Sequence, residues 1–240
     1  MKTWLLVLLL PLAELAPHPT GSVSVGKIRG AVVHRGGPLS NAQVRVSLPD
    51  GVFVQSESTG SDGSYEIGNL PASMYVLKIT ANGFYSAEVR DVQSDGLGVV
   101  VVPAVRLEFA AMGACGEDLR PTYYRLRVGA AESGAVGGAI RNNGGGSVAG
   151  ANVTLLRKNL GPISSQATQP DGKFSFVGLN PNAEEYWISI EREGYFSEEV
   201  RHLRVSPGLE AVYPSIMMES CSPGRCQPHL KTPYVAGFCG

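Results

Sequence analysis

Four histidines, His18, His34, His202 and His229, are the residues of this chain best suited to binding a metal or moving a proton. A hydrolytic zinc needs several such ligands to converge with a carboxylate, and a general base beside them. None of the four stands at a His-x-x-Glu or His-Glu-x-x-His spacing. The chain also carries no Gly-x-Ser-x-Gly nucleophile elbow and no glycine-rich phosphate loop followed by lysine. The expectation is a protein that is not an enzyme, with no catalytic residues, no metal and no cofactor.

The remaining chemistry belongs to cysteines, aspartates and aromatics. Cys115, Cys221, Cys226 and Cys239 are even in number, which in an oxidising compartment implies two disulfides with three possible pairings. A bridge from Cys115 to the tail would pin distant parts of the chain together. The rival reading, a zinc site of three cysteines and His229, has no standard spacing. Asp62 and Asp171 each precede glycine. One aspartate cannot supply the six to eight oxygens that calcium takes, so a tight turn is expected at each. Asn152-Val153-Thr154 is an N-glycosylation acceptor sequence. Phe84, Tyr85, Trp187, Tyr195 and Phe196 are candidate ligand contacts, able to stack on sugar rings if they face solvent.

The elements that would position these residues occur twice. Thr59-Gly-Ser-Asp62-Gly63-Ser-Tyr65 is repeated 109 residues later as Thr168-Gln-Pro-Asp171-Gly172-Lys-Phe174. Gly83-Phe-Tyr-Ser-Ala-Glu88-Val89-Arg90 is repeated 111 residues later as Gly194-Tyr-Phe-Ser-Glu-Glu199-Val200-Arg201, so copy two carries two extra residues near 180–185. The copies span 22–108 and 134–219, with a linker at 109–133 and a cysteine-containing tail at 220–240. Cys115 and Cys226 are also 111 residues apart, just beyond their respective copies.

Each copy reads as strands. Ala42-Gln-Val44-Arg-Val46 and Ala151-Asn-Val153-Thr-Leu155 alternate apolar and polar residues, the period of a half-buried strand. By that alternation Asn152 points to solvent, and Trp187 faces away from the side that Tyr186 uses. Turn residues recur every 8 to 12 positions, as in a sandwich.

These residues carry a resemblance. Gly30-Ala-Val32, Pro38-Leu39-Ser-Asn41-Ala42-Gln-Val44, Thr59-x-x-Asp62-Gly63-x-Tyr65, Leu70-Pro71, Tyr75 to Ile79 and Gly83-Phe84 resemble the carboxypeptidase regulatory-like domain. Copy two repeats the pattern in Gly138-Ala-Ile140, Gly150-Ala151-Asn-Val153, Thr168-x-x-Asp171-Gly172-x-Phe174, Leu179, Tyr186 to Ile190 and Gly194-Tyr195, without the Pro-Leu and with Asn180 after Leu179. The resemblance implies an all-β chain of two tandem transthyretin-like Greek-key sandwiches, about seven strands each. It implies no function, since the matched positions are structural.

Composition sets the compartment and excludes partners. Met1-Lys2 followed by the uncharged run Trp4 to Leu10 reads as a signal peptide, residues 1–21, cut between Ala13 and Ser22. That run is too short to span a bilayer. Hydrophobic residues at 43% against 17% charged support packed cores rather than disorder. A net charge of −1 without a basic run argues against nucleic acid. The expected protein is secreted and non-catalytic, presenting two modules to a protein or carbohydrate partner. The alternatives are a carbohydrate-binding module using exposed aromatics, and an accessory factor of the endoplasmic reticulum lumen.

Overall fold

The computed structural model describes residues 25–110, 120–130, 132–183, 185–222, 226 and 234–235. The proposed signal peptide lies outside them. Among the described residues, no helix is long and apolar enough to cross a membrane.

The chain is all-β. Copy one contains β1 (Gly26–His34), β2 (Gly37–Pro38), β3 (Gln43–Ser47), β4 (Phe53–Ser58), β5 (Ser64–Leu70), β6 (Ser73–Thr80), β7 (Ala87–Ser94), β8 (Val99–Val101) and β9 (Val105–Arg106). One sheet is built on β1, which pairs with β2 and β5 antiparallel and with β8 and β9 parallel. The other runs β4-β3-β6-β7. Copy two repeats this with β11 (Gly134–Asn142), β12 (Asn152–Arg157), β13 (Gly161–Ala167), β14 (Lys173–Leu179), β15 (Tyr186–Glu191), β16 (Glu198–Leu203), β17 (Leu209–Val212) and β18 (Ile216–Met218). There β11 pairs with β14, β17 and β18, facing a sheet of order β13-β12-β15-β16.

Alternation decides which side chains meet between the sheets. Val44 and Val46 of β3 and Tyr75, Leu77 and Ile79 of β6 are buried, as are Val153 and Leu155 of β12 and Tyr186, Ile188 and Ile190 of β15. Each such side chain contributes about 1.5–3 kcal/mol on leaving water. Irregularities repeat too. The pairing register shifts at Gly26/Ile28 and Gly134/Val136, and again at Tyr75/Leu77 and Tyr186/Ile188. Asp91 (φ 59°) and His202 (φ 60°) hold the same left-handed conformation on β7 and β16. The unusual backbone at His202 therefore belongs to the shared strand geometry rather than to a site.

The repeated spacing Thr-x-x-Asp-Gly has a structural cause in both copies. Ala42 N–H donates to the buried Thr59 Oγ1 (2.9 Å), whose hydroxyl donates to the Leu39 carbonyl (2.6 Å). Thr168 does the same between Ala151 N–H (2.9 Å) and the Val148 carbonyl (2.7 Å). Each hydroxyl satisfies one buried donor and one acceptor. Thr168→Val keeps the shape and strands both partners, so it is expected to cost about 2–4 kcal/mol, measured by denaturant unfolding. Thr168→Ser, which retains the hydroxyl, should recover most of that loss.

Two further strands lie outside the copies as read from sequence. β10 (Tyr123–Leu126) falls in the segment taken as a linker, and β19 (Tyr234–Val235) falls in the tail. β10 pairs parallel with β7 on one side and antiparallel with β17 on the other. The second sheet of copy one and the first sheet of copy two thereby become one nine-stranded sheet.

Candidate functional site

The segment joining the two sandwiches is where the chain concentrates polar and aromatic groups. Arg125, on β10, directs its guanidinium to both copies. Its Nε donates to Asp91 Oδ2 at 2.9 Å and its Nη1 to Glu210 Oε2 at 2.7 Å, while Nη2 reaches Tyr123 Oη at 3.2 Å. Glu210 is 8% exposed and also accepts from Ser175 Oγ at 2.8 Å. Burial by itself pulls the Arg125 guanidinium down, but Glu210, Tyr123 and Asp91 together outweigh this and hold it above its usual value. The Tyr123 ring carries the Arg90 guanidinium 4.2 Å over its centroid, a cation–π contact.

Apolar contacts cross the same junction. Tyr124 packs against the cores of both copies. Its hydroxyl is pushed up to about 12 by burial, with the nearby Glu108 carboxylate adding to the effect. Leu209, on β17 of copy two, is 1% exposed and packs into the core of copy one. Gly208 lies so close to Pro103 that a Cβ there would sit 2.7 Å from Pro103 Cγ.

A second feature is an open groove of about 580 Å³ beside the first sheet of copy one, bordered by Arg29, Gly30, Tyr65, Val101 and Pro103. Tyr65 is 4% exposed and its hydroxyl has no hydrogen-bond partner among the described residues. Copy two has Phe174 at the equivalent position. In sequence Tyr65 is simply the aromatic that follows an Asp-Gly turn, so the groove carries no sequence signal.

The residues singled out from sequence are dispersed. Asp62 Oδ1 accepts from Ser64 N–H (3.0 Å) and Oγ (2.7 Å), and Asp171 Oδ1 accepts from Lys173 N–H (3.1 Å). The Ser64 bonds hold the Asp62 carboxyl below the usual carboxylate range, and the Lys173 ammonium, 2.6 Å from Asp171 Oδ2, does the same for Asp171 together with the Lys173 N–H. Each caps its own hairpin turn, and among the described residues no cluster of His, Cys, Asp or Glu could hold a metal. His34 packs edge-on against Phe84 and Phe109, each at 5.7 Å, and His202 Nδ1 meets the Glu185 carboxylate. His18 and His229 lie outside the described residues.

Phe84 is stacked on Phe109 (4.5 Å) and packs on the core of copy one, while Tyr85 lies under the Arg120 guanidinium. Tyr195 takes the equivalent place on the core of copy two, with Phe196 beside it half-buried. Tyr85 N–H donates to the Glu108 carbonyl and Phe196 N–H to the Glu219 carbonyl, both at 2.9 Å, so one clamp serves both copies. Trp187 does face away from the buried Tyr186. It is half-buried beneath Arg201, whose Cζ is 5.0 Å from the ring, and its Nε1 has no hydrogen-bond partner among the described residues. Trp187 pairs with Leu156 near one end of β12, whereas Tyr195 follows the opposite end of β15. Strand rise separates these two by more than about 13 Å along the sheet. Asn152 is exposed between buried Ala151 and Val153.

Cys221 and Cys226 form a disulfide across five residues, immediately after copy two. Cys115 and Cys239 lie outside the described residues. Among the described residues, β10, Tyr124 and Leu209 join the two sandwiches. The signal available for β10 was the 111-residue offset itself, which continues past copy one to Cys115 and Cys226.

Two β-sandwiches of one topology, repeated in tandem and sharing a sheet, define the class: a transthyretin-like two-module β protein. The profile of the carboxypeptidase regulatory-like domain matches residues 27–107 and 135–218, more than half of the chain. The chain belongs to that family. No curated protein sequence matches it. Among solved structures it is similar to the Bacillus anthracis TIE protein, with 16% identity and a TM-score of 0.32 over 82% of this chain and 34% of that one. It is also similar to a streptococcal ancillary pilin, with 14% identity and a TM-score of 0.30 over 83% and 63%. The minor pilin GBS52 of Streptococcus agalactiae matches at 10% identity and a TM-score of 0.29 over 84% and 99%. The chain thus spans about a third and under two thirds of the length of the first two.

Proposed function

We propose that this is a secreted, non-catalytic protein that presents its two sandwiches, in one fixed relative pose, to a macromolecular partner. The observation that supports this best is β10, which pairs with both copies and turns two sheets into one. A continuous sheet with Leu209 and Tyr124 bridging the cores makes a stiff two-module body. Such a body can hold loops and strand edges at a set spacing, so less conformational entropy is lost on binding. The signal-like amino terminus and the disulfide support an oxidising, extracellular setting.

The test is expression of the full chain in secretory cells, followed by cross-linking capture from medium and matrix and a glycan array with Trp187→Ala as control. Recovery of oxidised protein from the medium with a saturable protein partner supports the reading. Saturable glycan binding lost in Trp187→Ala would replace it with the carbohydrate reading. Retention inside the cell, or no saturable partner of either kind, would overturn it.

A further inference from the structure

We propose that the outward edge of β8 receives β19 of a second copy of this chain, so that copies join head to tail through the same kind of strand junction that unites the two sandwiches internally. The inference goes beyond the binding-module reading and does not depend on it.

The internal junction supplies the template. β10 lies parallel to β7 with Tyr124 opposite Val89 and Arg125 opposite Arg90. β19 lies parallel to β16 with Tyr234 opposite Val200 and Val235 opposite Arg201. Val89 and Arg90 are the repeat equivalents of Val200 and Arg201, so β19 occupies in copy two the place that β10 occupies in copy one. The far edge of β10 is filled by β17. The repeat equivalent of β17 is β8. Val99, Val100 and Val101 sit opposite Lys27, Ile28 and Arg29, just as Glu210, Ala211 and Val212 sit opposite Ala135, Val136 and Gly137. Among the described residues, neither the outer edge of β8 nor that of β19 is paired with a strand. Each chain therefore carries one half of the junction at each end.

The backbone of β8 is set to receive a strand. Lys27 N–H donates to the Gly98 carbonyl (2.9 Å) and Val102 N–H to the Arg29 carbonyl (2.8 Å). Residues 98, 100 and 102 thus turn their peptide groups toward β1, and alternation turns those of Val99 and Val101 outward. Leu97, Val99 and Val101 are 67%, 49% and 54% exposed. Exposed edges are ordinarily blunted by charge or proline, and β8 is three valines.

The residue types at the shared register change on both partners together. Internally, Arg125 is paired directly with Glu210, and their side chains form the 2.7 Å ion pair. Carrying that register to the new junction puts Val235 opposite Val99. Had only one member changed, an unpaired charge would face an apolar group in a closed contact, which is costly. β19 is two residues long. The contact is therefore short, and association should depend on concentration. Because the two surfaces differ, the contact is heterologous and yields chains or rings rather than a closed two-fold dimer.

The test is sedimentation equilibrium of the oxidised full chain over rising concentration. The weight-average mass should climb beyond that of two copies. Val101→Pro removes an outward N–H at an edge position where proline is tolerated. It should return the mass to that of one chain with an unchanged melting temperature. Val99→Glu alone and Val235→Arg alone should each weaken association roughly tenfold or more, and an equimolar mixture of the two should restore it. A single-chain mass at every concentration would overturn the proposal. So would association that Val101→Pro leaves intact, or singly weakened variants that mixing fails to rescue.

Discussion

Leu209→Ala is expected to destabilise the first sandwich by about 2–5 kcal/mol, although Leu209 is a residue of the second. The side chain is 1% exposed and packs into the core of copy one, beside the β10 strand that joins the copies. Truncation there removes buried apolar surface and leaves a cavity that a shared sheet cannot easily close. Amide hydrogen exchange gives the discriminating readout. Protection at Val89 and Val92, in β7, should fall along with that at Ala211. If only copy two loses protection, the junction is a contact without energetic coupling and the two sandwiches fold independently.

The second large effect is expected from Gly172→Ala. Gly172 has φ of +80°, and a Cβ there would lie 2.4 Å from the Ile140 carbonyl oxygen. The left-handed conformation costs a side chain about 1–2 kcal/mol. The clash adds more, because the Ile140 carbonyl already accepts from Val148 N–H at 3.0 Å and cannot move without losing that bond. The sum is about 2–5 kcal/mol, read as a lower urea midpoint at unchanged slope. Gly194→Ala is the internal control. Its φ is +82° with nothing within 4 Å of the added atom, so only the conformational cost of about 1–2 kcal/mol applies. Equal losses at the two sites would show that the close approach to Ile140 relaxes freely.

Much of this protein is legible without coordinates because its signals are local. The strand identity of Asn152–Arg157 and of Ser73–Thr80 follows from alternation over a few residues, and burial of every second side chain in each follows with it. Asp62-Gly63 and Asp171-Gly172 announce their turns through the residue types that such backbones require. The duplication makes each inference twice over. It also separates fold from site, since a residue that serves the same bond in both copies, as Thr59 and Thr168 do, is structural.

The junction was not legible in that way. Tyr123-Tyr124-Arg125-Leu126 shows no alternation, and all four side chains are half-buried. What makes the segment a strand is backbone pairing on both edges, with β7 and with β17. Every residue type except proline can both donate and accept in such a ladder, so the pairing leaves little mark on composition. Whether Leu209 fills its own core or its neighbour's likewise depends on where β17 lies against β10, and no residue near Leu209 in the chain records that. The chain's own residues determined two sandwiches, their turns and their inward faces, because those are set by neighbours a few positions apart. Only the tertiary structure decided that the two sandwiches share one sheet, because that depends on pairing between segments about 85 residues apart, as between Arg125 and Glu210.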